Sequence, residues 1–116
     1  MISFDWAKEI PAAVTITDAK GTIIYMNDKS IAEFEDDGGE KLIGTNLVNC
    51  HNENSNNIIE LIKYSLKPNA YTIEKKGKKK FIYQTPYFND DKYAGLVEIS
   101  IVIPYDMPHF IRDKSV

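Results

Sequence analysis

The sequence predicts a single α+β domain built on an antiparallel sheet with helices laid over it, and three observations predict it. Two alternating runs rich in β-branched residues, 13–17 and 22–26, flank a short turn. Two stretches with helical apolar spacing occupy the middle of the chain. Three further strand-like runs, 70–74, 80–88 and 93–103, follow one another through short connections, so sequential hairpins make the sheet antiparallel. At 116 residues the chain fits one domain and can bury one core without metal or disulfide staples. Its 43% hydrophobic and 27% charged residues exclude a disordered segment. The formal charge of -3 gives no reason to expect nucleic acid. Cys50 is the only cysteine, which excludes an internal disulfide and suits a reducing, cytoplasmic compartment. No apolar run approaches the ~20 residues needed to cross a bilayer, and the charged N-terminus is no signal peptide, so no membrane partner is expected.

Each element has its own signal. Ile2, Trp6 and Ile10 recur every four residues, a short amphipathic helix over 1–11 that Pro11 ends. That stripe either packs on the domain's own core or meets a second copy of the chain. Residues 13–17 form a half-buried strand, 18–21 a turn in which Asp18 bonds its own backbone and Gly21 takes positive φ, and 22–26 the return strand. Asn27 or Asp28 caps a helix with Ile31 and Phe34 on its inner face. The acidic segment 35–40, with Gly38 and Gly39, reads as a mobile loop. Leu42-Ile43-Gly44 and Leu47-Val48 read as irregular helical turns. Asn54 or Ser55 caps a longer helix whose apolar face is Ile58, Ile59, Leu61, Ile62 and Leu66, ending by Pro68. Turns at Gly77 and at 89–91 join the last three strands, Pro104 closes the sheet, and 105–116 is a loosely held tail.

Gly21-Thr22-Ile23-Ile24-Tyr25-Met26-Asn27, the helix after it, Leu42-Ile43-Gly44 before the longer helix, and the apolar strand from Ala94-Gly95-Leu96 together resemble a PAS domain, over residues 10–104. Each motif alone is weak; their order and spacing carry the resemblance. It implies a bacterial sensor module divided into an N-terminal helix (1–11), a PAS domain (12–104) and a C-terminal tail (105–116). It also implies a five-stranded antiparallel sheet with helices flanking one face, enclosing a pocket for a small-molecule ligand or cofactor. Dimerisation, often through an N-terminal helix, and signalling to a partner protein complete the implied picture, and tilt the Ile2, Trp6, Ile10 stripe toward a homodimer contact. PAS domains usually adjoin an output module; this chain ends soon after the last strand, as a stand-alone sensor or an excised piece would.

The expected pocket takes Met26, Phe34, Leu47, Ile59 and Ile62 as apolar lining, with His51, Tyr71, Tyr83, Gln84, Glu98 and Ser100 as polar groups. His51 has two readings. Haem-binding PAS sensors use a flap histidine as axial ligand, and a neutral imidazole suits iron. Against that, His51 lies among Asn49, Asn52, Glu53 and Asn54, a polar connection, and one histidine without a second ligand is poor support for a metal, so none is assigned. Asn49-Cys50-His51-Asn52 lacks the arginine and apolar residues of the flavin photosensor run, so flavin is not expected and the cofactor stays unknown. Cys50 reads better as a small buried hydrophobe. Glu98 and Ser100 share one strand face, opposite Val97, Ile99 and Ile101; they orient a ligand if that face looks inward and meet solvent if it looks outward. The lysine-rich stretch 75–80 reads as a solvated hairpin tip that blunts edge pairing, or as a site for an acidic partner.

No enzyme is expected: Ser-His-Asp order, HExxH and a Gly-rich phosphate loop are all missing. The leading function is a sensor that binds a small molecule. The alternatives are a ligand-free PAS module for protein contact, and a small enzyme with Glu98 as base.

Overall fold

The computed structural model describes residues 5–46 and 53–113, with the side chains of 53–56 left aside. Five strands, β1 (Ala13–Asp18), β2 (Ile23–Met26), β3 (Asn69–Lys75), β4 (Lys78–Asn89) and β5 (Lys92–Ile103), form one sheet in the order β2-β1-β5-β4-β3. Every pairing is antiparallel. The first hairpin and the last three strands are thus joined through β1 and β5, the first and last in sequence. Helices α1 (Asp28–Glu33) and α2 (Glu53–Ser65) lie over one face.

Local chemistry explains the elements. In the β1–β2 turn, the Asp18 carboxylate accepts from the Lys20 and Thr22 backbone N–H groups, and Gly21 stands at φ 87°. The β3–β4 turn has positive φ at both Lys76 and Gly77, and the β4–β5 turn at both Asp90 and Asp91, the two-residue geometry that matches strand twist. Leu66, at φ 58°, ends α2 with its N–H on the Ile62 carbonyl.

Asn27 is the N-cap of α1 and more. It is 1% exposed, and its side-chain oxygen accepts from the Val14 and Ser30 N–H groups at 2.9 and 3.0 Å. Its amide nitrogen donates to the Ala7 and Ala12 carbonyls at 2.8 and 2.7 Å. One buried side chain therefore ties the N-terminal segment, β1 and α1 together.

The core between helices and sheet is Ile23, Met26, Ile62 and Leu96, with Ile31, Phe34, Leu42, Ile58 and Ile59 packed against it. Leu61 and Leu66, expected on the inner face of α2, are 65% and 47% exposed. Leu61 is one residue from Ile62, a rotation of about 100° off the buried stripe, and Leu66 lies in the left-handed cap past the last helical turn.

Two more expectations change. The acidic stretch 35–40 is not a loop but part of two short 3-10 helices, Glu35–Asp37 and Gly39–Leu42. Gly39 donates its N–H to the Phe34 carbonyl at 2.8 Å, and its positive φ lets the chain turn there. At the N-terminus, residues 6–9 make a turn where a helix was expected. Asp5 is the physical reason: its carboxylate takes the Ala7 N–H, and its carbonyl the Lys8 N–H, a local arrangement that competes with helical bonding. Ala7 is buried there, Ile10 half-buried, and Trp6 66% exposed; Ile2 lies outside the described residues.

Candidate functional site

Strand alternation decides what each side chain can reach. On β5, Leu96, Glu98, Ser100 and Val102 turn toward the helices; on β4, their cross-strand partners Pro86, Gln84, Ile82 and Lys80 do the same. From β3, Tyr71 and Ile73 join that face opposite Ile82 and Lys80. The Glu98 face is therefore the helix-covered one. Tyr83 sits between Ile82 and Gln84 and points the other way, where its ring stacks with Phe81 at 6.1 Å. Neighbouring strand residues cannot both line one pocket, so Tyr83 is not brought to the site with Gln84.

Between this face and the α1 end of the helical layer lies a solvent-connected cleft of about 650 Å³. Its floor is Tyr71, Ile82, Gln84, Glu98 and Ser100. Ala32 and Glu33 from α1 and Phe34 at its C-cap form one wall, followed by Glu35 and Asp36. Ile73, Lys75, Lys76, Lys78 and Lys80 from the β3–β4 hairpin form the other. Of the residues expected in a pocket, Phe34, Tyr71, Gln84, Glu98 and Ser100 converge here. Met26 and Ile62 instead fill the core beside it, and Ile59 lines a second hollow of about 180 Å³ between α2, the β1–β2 turn and Tyr93. Leu47, Cys50 and His51 lie outside the described residues.

The floor carries a polar row. Asn69 Nδ2 donates to Gln84 Oε1 at 2.9 Å, and Gln84 Nε2 donates to Glu98 Oε2 at 2.9 Å. Gln84 and Ser100 are 6% and 7% exposed. Buried polar atoms are normally paired, yet the Ser100 hydroxyl has no partner among the described residues. Tyr71 has its phenol pKa raised, first by burial and then by the negative charge of Glu98. Across the cleft, Lys80 Nζ meets Glu33 Oε1 at 3.0 Å, with side chains only 17% and 22% exposed, so β4 is clamped to α1. Among the described residues no group of three or more His, Cys, Asp or Glu could hold a metal ion.

Gly95, read from the sequence only as part of an apolar strand, has a packing role: its φ is 152°. Tyr87 lies over it and donates its hydroxyl to the Thr17 carbonyl at 3.0 Å, a bridge across three strands. A Cβ at Gly95 would overlap that carbonyl and stand 2.8 Å from the Tyr87 ring. A glycine inside an apolar strand was the available signal.

Neither a protein-family model nor a curated protein matches the sequence. Solved structures do. A C-terminal domain from Streptococcus mutans superposes with a TM-score of 0.69 at 16% identity, over 82% of this chain and 78% of that one. The Aer2 receptor from Vibrio cholerae, described as a dual PAS-heme oxygen sensor, gives 0.60 at 15% identity, over 80% and 95%. The PAS domain of Bordetella pertussis BvgS gives 0.53 at 15%, over 80% and 76%. The chain has the PAS fold. No helix among the described residues is long and apolar enough to cross a membrane.

Proposed function

We propose that this chain is a non-enzymatic sensory module that binds a small molecule in the cleft between α1 and β3–β5 and signals through contacts with a partner. One observation supports it above the others: Gln84, Glu98 and Ser100 stand in a row, partly unsatisfied, on the floor of a cleft whose walls carry the acidic residues that follow α1 and the lysines of the β3–β4 hairpin. Small-molecule sites use a few fixed polar groups of this kind to orient a ligand. The fold shared with sensor domains agrees. Native mass spectrometry of the protein purified from its own host tests it. A bound small molecule that Ser100→Leu displaces is the expected result. A bare protein that binds nothing from a metabolite extract would favour the rival reading, a PAS module serving protein contact alone.

The signalling partner is a second copy of the chain, with Trp6 and Ile10 in the contact; a Trp6→Glu variant that sediments like the wild type would remove that part. Haem on His51 requires a Soret shift when haemin is added, and its absence would sink that cofactor. Catalysis with Glu98 as base would need a turnover that Glu98→Gln abolishes.

A further inference from the structure

Besides Glu98 and the hairpin lysines, Lys29, Glu35 and Asp36 line the cleft, and among the described residues only Lys80 and Glu33 form an ion pair inside it. Among the described residues the ion pairs are Lys8–Asp28, outside the cleft, and Lys80–Glu33. Glu98 is in neither. It accepts one hydrogen bond, from Gln84, and half-burying a carboxylate without a cation is costly. Ser100, two residues along the same strand face, has a hydroxyl with no partner among the described residues. Tyr71 stands one strand beyond Ile82, close enough for the charge on Glu98 to raise its pKa.

The far end of the cleft has the opposite need. Lys75 and Lys78 are directly opposite in the β3–β4 register and both line the cleft, with Lys76 in the turn between them. Like charges facing each other across strands repel, and neither lysine has an anion partner among the described residues. Lys80 does not help, because Glu33 already neutralises it.

Building on the reading of this cleft as a ligand site, we infer that its ligand is a small zwitterion, with a primary ammonium on Glu98 and an anionic group among Lys75, Lys76 and Lys78. An ammonium has three N–H donors, and Glu98, Ser100 and Tyr71 offer three oxygens. A neutral ligand would satisfy Ser100 and leave Glu98 uncompensated; a simple anion would meet repulsion there. Spacing narrows the class further. Glu98 is four residues from Val102, the partner of Lys80, which is about 13 Å of strand, with Lys78 two residues beyond. The ligand's two charges therefore stand well apart, as in an ω-amino acid or a short peptide, not on neighbouring atoms as in an α-amino acid.

Isothermal titration with ε-aminocaproate, hexylamine and caproate tests this, using the full chain. The expected order has ε-aminocaproate tightest. Glu98→Gln should weaken ε-aminocaproate and hexylamine about tenfold or more, the scale of a lost charged hydrogen bond, and should not weaken caproate. The double variant Lys75→Gln, Lys78→Gln, at an exposed hairpin tip where folding is not at stake, should weaken ε-aminocaproate and leave hexylamine unchanged. Caproate binding as tightly as ε-aminocaproate, indifference to both variants, or no binding of any of the three would overturn the inference. If native mass spectrometry then shows a neutral or acidic molecule in the cleft, the ligand class fails while the sensory reading stands; a bare protein fails both.

Discussion

Replacing Asn27 by alanine should cost this domain much of its stability. The side chain makes four hydrogen bonds of 2.7–3.0 Å, to Val14, Ser30, Ala7 and Ala12. Ser30 is 0% exposed and Val14 4%, so two N–H donors lose their acceptor where water does not reach. Each orphaned buried group costs about 1–3 kcal/mol, and loss of an N-cap alone about 1 kcal/mol. The terms overlap, because the Ser30 bond is the cap. The Ala7 and Ala12 carbonyls recover part of their loss from solvent. The sum is about 3–5 kcal/mol, against a typical total of about 5–15 kcal/mol. For a chain of this length that lowers Tm by about 12–20 °C. Urea titration followed by circular dichroism measures it, with Asn27→Asp as a control that keeps the acceptor and loses the donors. Hydrogen exchange adds a spatial readout: amides of β1 and α1 should lose protection before those of β4 and β5. A loss below about 1 kcal/mol for Asn27→Ala would refute the reasoning, since the network would then be incidental to the fold.

Three other outcomes follow from the same structure. Gly95→Ala should destabilise by more than about 3 kcal/mol, because its Cβ meets the Thr17 backbone and the Tyr87 ring at once; a variant with unchanged urea midpoint would remove the bridge argument. Glu33→Gln should cost about 1–2 kcal/mol, more than an exposed pair, since it strands Lys80 in a half-buried position; equal loss in low and high salt would count against an ionic origin. The Tyr25 hydroxyl donates to Asp5 at 2.8 Å, and burial, then that bond and the Asp5 charge, push its pKa up to about 12. The folded state thus holds this proton above the unfolded value near 10, so its contribution to stability is full below pH ~10 and is lost as pH rises toward 12. Tyr25→Phe should flatten that part of the alkaline stability curve; an unchanged curve would assign the loss to other tyrosines.

The PAS fold was legible because its signals are local. Alternation in 13–17, the Asp18 and Gly21 turn chemistry, the Asn27 cap and the glycine of the β3–β4 turn each act over a few residues, and each operates in the structure as backbone chemistry dictates. Alternation also made it legible that Glu98 and Ser100 share a face. The N-terminal helix was misread for a related reason: Ile2, Trp6 and Ile10 have helical spacing, but the Asp5 side chain captures the backbone first.

Which face looks inward was a different kind of question. Glu98 meets Gln84 across β5 and β4, and Lys80 meets Glu33 across a sequence separation of 47 residues. Tyr87 reaches Thr17 across 70. Such contacts depend on strand order and register, which no local pattern encodes, because a one-residue slip would send every one of these side chains to the other face. Local chemistry along the chain specified all five strands, the two α-helices, their caps and turns, and the alternation along each strand. Strand order and register alone set that the polar face turns toward α1, that Tyr83 leaves it, and that Glu98 and a run of lysines end up in one cleft.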